Sequence, residues 1–359
     1  MVGLRIGTLL ESESAQPADL IAKRLNRHTF WCGQSGSGKT YALGVLLEQV
    51  LLRTRLPLVI LDPNSDFVGL GDVRDGAPPA SADALAERDI RVLRPHGERP
   101  LQVRMLDMPV RSQASIIDLD PVRDAEEYNE MLSLASEFPL IDDRHLVPHL
   151  RASDSTVRHR LALRLENLGV AEWRLWAWGG RSVTDDIDDQ PDATVVDLGG
   201  FATPAESRAA ALAVLDHLWA RREDRIGRLI VIDEAHNLCS PDPQSAVERM
   251  LTDRIVQIAA EGRKYGLWLL LSTQRPSKVH PNALSQCDNL ALMRMSSPRD
   301  LAELGDIFGY APSALLDRSP TFAQGQALFA GGFIDAAALV QMGERLTHEG
   351  GIDVPVLMR

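Results

Sequence analysis

Three short clusters hold the residues whose types and spacing are suited to chemistry. The first is Gly33-Gln34-Ser35-Gly36-Ser37-Gly38-Lys39-Thr40. Glycines at this spacing let a loop curl until successive backbone N–H groups point inward, which makes a cradle for phosphate oxygens. A helix starting at Lys39 adds the positive end of its dipole to that attraction. In this pattern the lysine reaches the β- and γ-phosphate oxygens and the Thr40 hydroxyl is a magnesium ligand, so the eight residues predict a site for ATP with Mg2+.

The second cluster is Asp233-Glu234, which follows the apolar run Leu229-Ile230-Val231-Ile232. An apolar run of this kind buries a strand and delivers two carboxylates to its C-terminal end, where α/β proteins bind ligands. Asp233 is placed to hold magnesium, and Glu234 to accept a proton from an attacking water. The third cluster follows the next apolar strand, Leu267–Leu271. There Gln274 offers a neutral hydrogen-bonding group to the same edge, able to orient water and sense a γ-phosphate. Arg263 and Lys264 close the helix before that strand, where the helix dipole favours basic residues in any case.

The elements that must carry these clusters alternate. His28–Cys32 reads as a buried strand, Lys39 to about Leu52 as a helix, and Leu58–Leu61 as a second strand closed by Asp62-Pro63. Leu4–Leu10 is a further candidate strand. From Gly71 to Gln190 helical signals dominate: Asp120-Pro121 reads as an N-cap with proline at the first helical position, and Ser155 opens a helix that Gly169 closes. This stretch reads as a helical insertion or as a small second domain. The sheet resumes at Thr194–Leu198; Thr203-Pro204-Ala205-Glu206 is a capping box launching the next helix. A helix from about Gln244 to Lys264 and strand-like runs at Asn289–Met295 and Gln326–Phe333 complete the set. Apolar strands alternating with helices predict an α/β fold with a mostly parallel, doubly covered central sheet.

Composition narrows the partners. The 359 residues carry 38 basic and 50 acidic side chains, a net charge of −12, which argues against coating nucleic acid with the whole surface but leaves room for a basic channel. No run is apolar and long enough to span a membrane, and Glu11 and Glu13 interrupt any signal-peptide pattern, so a cytoplasmic protein is expected. Cys32, Cys239 and Cys287 show no ligand spacing and are expected to be reduced and buried. The Trp173-Arg174-Leu175-Trp176-Ala177-Trp178 cluster suits core packing better than base stacking. His145, His149 and His159, among arginines, suit a solvated face better than a phosphate patch.

Asp233-Glu234-Ala235-His236 invites comparison with DEAH-box helicases, but about 120 residues follow His236, too few for a second lobe. A signature of the ABC type is also missing. Taken together, the motifs resemble the HerA/FtsK superfamily of DNA-pumping ATPases, nearest to HerA. The carriers are the phosphate loop after His28-Thr29-Phe30, Leu61-Asp62-Pro63-Asn64 with Asp66-Phe67, and Ile232 to His236. More specific still are Glu261-Gly262-Arg263-Lys264-Tyr265-Gly266, Ser272-Thr273-Gln274-Arg275-Pro276-Ser277 and Leu284 to Asn289.

The resemblance implies a RecA-like core of residues 28–70 and 191–340, with the insertion at 71–190, a short lead-in at 1–27, and a C-terminal tail at 341–359 that braces a neighbour. It implies a homo-oligomer, a ring of six with nucleotide at each interface. It further implies an arginine donated by the adjacent subunit, for which Arg263 matches best and Arg275 second. Double-stranded DNA would occupy the channel. Members usually carry an N-terminal β-barrel that helps dock the nuclease NurA; with about 27 residues before the loop strand, a shortened member that recruits another effector, or none, is expected. The reading is therefore an ATP-hydrolysing DNA translocase or helicase. The alternative is an ATP-gated platform that recruits and regulates an effector such as a nuclease without pumping DNA.

Overall fold

Seven strands run parallel in a computed structural model of the chain, which describes residues 2–11, 14–137 and 146–350. In chain order the strands are β1 (Gly3–Leu9), β2 (Pro17–Ile21), β3 (His28–Cys32), β4 (Leu58–Asp62), β5 (Ile90–Leu93), β6 (Ala193–Asp197), β7 (Arg228–Ile232), β8 (Leu267–Thr273), β9 (Cys287–Met293), β10 (Gln326–Gly331) and β11 (Ala338–Met342). They form one sheet in the order β2-β1-β11-β10-β9-β3-β8-β7-β4-β6-β5. Strands β9 through β5 along that order are parallel; β10, β11, β1 and β2 extend the β9 side in antiparallel fashion.

Strands β3, β4, β6 and β7 are buried along their whole length because helices cover both faces. Alternate residues feed two cores. Phe30, Cys32, Ile230, Ile232, Leu269 and Leu271 pack with the helices Pro204–Ala220 and Ala246–Glu261. Trp31, Leu229, Val231 and Leu270 face the other way, onto the helix Lys39–Arg53. The capping box read at Thr203 is present, with Glu206 N–H donating to Thr203 Oγ1 and the Glu206 carboxylate accepting from Thr203 N–H.

Several elements differ from the sequence reading. The candidate strand at Leu4–Leu10 is present as β1, and the lead-in adds a second strand, β2, that pairs with it; Leu4, Ile6 and Leu20 are fully buried. Strand β5 lies inside the stretch read as a helical insertion and pairs with β6. The signal there is short, the four residues Ile90–Leu93, with Arg91 turned to Asp89, Asp186 and Asp189. Asp120 does cap, accepting from Val122 and Arg123 N–H, but it caps a turn, and the regular helix starts at Ala125. Trp176 is buried, stacks on Trp173 at 5.7 Å and donates to the Val170 carbonyl, so this cluster packs the insertion. Arg151, Arg158, Arg160 and Arg164 each pair with a carboxylate of the insertion. His145 lies outside the described residues. All three cysteines are buried and unbridged. No helix among the described residues is long and apolar enough to cross a membrane.

After β11, residues 343–350 run back along the helix Lys39–Arg53. Glu48 accepts from Leu346 N–H, Thr347 N–H and Thr347 Oγ1 at 2.7–2.8 Å, and Gly350 N–H donates to the Asp66 carbonyl. Arg345 lies fully buried over Gly44, where any Cβ would meet its guanidinium at 2.5–2.7 Å. Up to residue 350 the tail thus braces its own chain; 351–359 lie outside the described residues.

His28 anchors the start of β3. Its Nδ1 accepts from Leu269 N–H at 2.8 Å. Burial, with the nearby Arg263 charge, lowers its pKa from 6.5 to about 4. The folded state therefore keeps His28 neutral, and its contribution to stability, complete above pH 6.5, is lost as pH falls through about 4. Denaturant unfolding at pH 7 and pH 4.5 should show a loss of about 1–3 kcal/mol that His28→Asn largely removes, since an amide does not titrate. Equal losses in both proteins would contradict this assignment.

Candidate functional site

The phosphate loop joins β3 to the helix Lys39–Arg53, at the centre of the sheet and at the carboxyl edge of the parallel strands. Here the chain crosses from β3 past β8 and β7 to β4, leaving β9 on the opposite side, which creates the crevice where such sheets bind ligands. Gly36 and Gly38 take φ values of +73° and +87°, a region costly for other residues. Gly33 has no room for a side chain: a Cβ would sit 2.7 Å from Met293 Cβ and 2.8 Å from Ser37 Oγ. Gln34 N–H donates to the Arg294 carbonyl, Gln34 Oε1 accepts from Ser296 N–H, and Arg294 Nη2 donates to the Gly36 carbonyl. Ser35 and Gly36 remain exposed at the mouth of the loop.

Lys39 is the pivot. Its Nζ donates to Asp233 Oδ1 at 2.8 Å and to Ser272 Oγ at 2.9 Å, and lies 3.2 Å from Glu234 Oε1. Burial opposes the ammonium charge, but Asp233 and Glu234 outweigh it and raise the pKa. Ser272 also donates to Asp233 Oδ1, at 2.6 Å. The β7–β8 pairing sets Ser272 beside the Asp233-Glu234 turn, so three residues far apart in sequence meet at one edge.

Burial alone would raise the Glu234 pKa; the His236 hydrogen bond and the Lys39 charge instead bring it down to about 2. Glu234 itself adopts φ 42°, ψ 49°, a left-handed conformation uncommon for a side chain of this size. Its Oε2 lies 3.1 Å from His236 Nδ1 and 3.4 Å from the Gln274 backbone N–H. Gln274 stands half-buried just beyond β8 at the same edge.

A carboxylate group flanks the lysine. Asp62, Asp66 and Asp233 each bring one oxygen to within 4.8 Å of the others. Asp62 accepts from Asp66 and Phe67 N–H, which folds the loop after β4 back onto the site. Thr40 Oγ1 donates to Asp66 Oδ2 at 3.4 Å. Burial chiefly raises Asp62 to about 7 and Asp66 to about 6, helped by the neighbouring carboxylates. Asp233 Oδ2 is buried without a hydrogen-bond partner. An orphaned carboxylate oxygen beside Thr40 and Asp66 fits a divalent cation with oxygen ligands.

Arg263 is not brought to this site. It precedes β8, at the opposite edge of the sheet, and Nη1 bonds Asp288 Oδ2 at 2.6 Å. The 7 residues of β8 put roughly 20 Å between that edge and Ser272. Arg275 is exposed at the near edge. Sequence reasoning gave no role to Ser272, Asp66, His236 or Arg294. Asp66 and His236 stood inside quoted motifs, and Ser272 ends an apolar strand beside Gln274; Arg294 had no signal.

The HerA helicase central-domain profile matches residues 4–139. Over 99% of its length the chain is 22% identical to the DNA double-strand break repair helicase HerA of Pyrococcus furiosus, spanning 74% of that protein. It is 28% identical to the protein of the same name from Sulfurisphaera tokodaii over 35% of the chain and 26% of the relative. Among solved structures, VirB4 of Thermoanaerobacter pseudethanolicus superposes with a TM-score of 0.67 at 15% identity, covering 95% of this chain and 96% of that one. The plasmid coupling protein TrwB in complex with ADP and Mg2+ gives 0.64 at 15% identity, covering 98% and 96%. The loop, the paired carboxylates and the sheet order define a P-loop ATPase with a RecA-like core. Over nearly its whole length the chain is similar to HerA helicases.

Removing the Lys39 ammonium leaves Asp233 and Glu234 buried without their cation. Lys39→Ala should therefore cost about 3–5 kcal/mol of unfolding free energy, and adding Asp233→Asn should recover much of it. Chemical denaturation of the two variants and the parent checks this; a Lys39→Ala protein as stable as the parent would refute the pairing.

Proposed function

We propose that the chain is the subunit of an ATP-driven DNA translocase, built as a ring whose sites are completed between adjacent copies: the phosphate loop, Asp233 and Glu234 from one, Arg263 from the next. The observation that carries this reading is the placement of these groups. The lysine and both carboxylates converge on the carboxyl edge of the sheet, while Arg263 lies at the far edge, out of reach of its own loop. Relatives named as DNA double-strand break repair helicases, and a plasmid coupling protein of the same fold, support DNA as the partner. A ring of six, double-stranded DNA and an effector such as a nuclease complete the proposal.

In this reading ATP enters with its phosphates on the backbone N–H groups of Gly33 to Thr40, and Lys39 exchanges its protein carboxylates for the β/γ oxygens. Thr40 and Asp233, with Asp66 alongside, would hold Mg2+, which neutralises charge on those oxygens when bound. Glu234, relieved of Lys39, takes a proton from water as the water oxygen attacks the γ-phosphorus and its bond to the β-bridging oxygen breaks. Gln274 orients that water. Arg263 of the adjacent copy stabilises charge on the transferred phosphoryl group.

The competing reading, an ATP-gated platform, draws on the net charge of −12 and on the paired arginines of the insertion. Salt separates the two. For the translocase, duplex DNA should raise the ATPase rate several-fold, and binding should weaken by at least about tenfold between 50 and 200 mM salt. A rate indifferent to DNA favours the platform. The shared site has its own test. Arg263→Ala and Glu234→Gln subunits should each be inactive alone, and mixing them should restore a fraction of the rate, because some interfaces then hold an intact Glu234 and an intact Arg263. No recovery in mixed assemblies would contradict donation between subunits.

A further inference from the structure

The Asp233–His236 run leaves one residue unused. His236 sits in the short turn Ala235–Asn237 directly after β7, with 12% of its side chain exposed. Its Nδ1 lies 2.9 Å from Thr273 Oγ1 and 3.1 Å from Glu234 Oε2. A carboxylate only accepts hydrogen bonds, so with the proton on Nδ1 the N–H is shared between Thr273 Oγ1 and Glu234 Oε2. Thr273 Oγ1 in turn accepts from the Arg275 backbone N–H at 3.0 Å. His236 therefore ties the turn that bears Glu234 to the end of β8.

The two oxygens of Glu234 have different partners. Oε1 faces Lys39 at 3.2 Å, and Oε2 faces His236, with the Gln274 N–H more distant at 3.4 Å. When Lys39 turns to the phosphates, Oε1 loses its partner and Oε2 keeps its own. A base in a left-handed backbone conformation, φ 42°, then depends on that remaining hydrogen bond for its direction.

We propose that His236 is a positioning residue for ATP hydrolysis: its Nδ1–H fixes Glu234 Oε2, so that Oε1, released by Lys39, faces the attacking water. This rests on the reading of Glu234 as the base, and the test separates the two. Steady-state ATPase of the full chain is measured for His236→Ala, His236→Leu, His236→Asn, Glu234→Gln and His236→Ala/Glu234→Gln, each with a thermal melt and ATP affinity. His236→Leu fills the volume without a donor, and His236→Asn restores an N–H near the Nδ1 position.

General-base assistance is worth about 100-fold or more, so losing its direction should lower kcat at least about tenfold in the Ala and Leu variants while KM for ATP stays within about twofold. His236→Asn should recover most of the loss. In the Glu234→Gln background, His236→Ala should change the residual rate by less than about twofold, because residues acting as a unit are not additive. Unchanged kcat in the Ala and Leu variants overturns the proposal, as does a loss that tracks melting temperature and is not rescued by Asn, or one that persists in full beside Glu234→Gln. Full turnover by Glu234→Gln alone would instead remove the base reading itself.

Discussion

A lysine ammonium buried to 7% exposure needs anions around it, and this requirement organises the centre of the molecule. Lys39 finds them in Asp233 and Glu234, with Ser272 bridging to Asp233. The arrangement works only if β3, β8 and β7 lie side by side in parallel, so that the loop after the first and the ends of the other two meet at one edge. Triphosphate oxygens are the same kind of partner as carboxylates. A nucleotide therefore competes for a cation that the protein already holds, and in the proposed cycle the exchange frees Glu234 for chemistry.

The same edge carries the cost of gathering charge. Asp62 and Asp66 are pushed toward protonation by burial and by Asp233, and one oxygen of Asp233 is left without a partner. Burying three acids so close together opposes folding unless something positive joins them. The tail adds a further buried pair on the outer face of the same helix, where Glu48 gathers the backbone of Leu346 and Thr347 beneath Arg345. Gly44 makes that passage possible, for a methyl group there would displace the guanidinium. Through Gly350 the strap also reaches the Asp66 loop, so residues 343–350 and the acidic cluster are mechanically joined.

What could be read from the sequence was whatever depends on neighbours in the chain. The loop Gly33–Thr40, the strand delivering Asp233 and Glu234, and the capping box at Thr203 are local patterns, and each lies where its residues place it. Strands β2, β5 and β11 were harder, because a short edge or half-polar strand takes its place from the partner it pairs with. Ser272 against Lys39, Thr40 against Asp66 and His236 against Thr273 are contacts between separate strand ends. They follow from sheet order, which no single segment encodes. Arg263 shows the reverse: the motif around it was plain, yet only the fold reveals that it lies at the edge remote from its own loop.

The exchange of partners by Lys39 is the claim on which the account turns, and one structure tests it: the full chain bound to a non-hydrolysable ATP analogue with Mg2+. The account predicts Lys39 Nζ on the β/γ oxygens, out of hydrogen-bonding reach of Glu234 Oε1, with Glu234 Oε2 still held by His236 Nδ1. Phosphates seated in the loop while Lys39 remains bonded to Glu234 would contradict it.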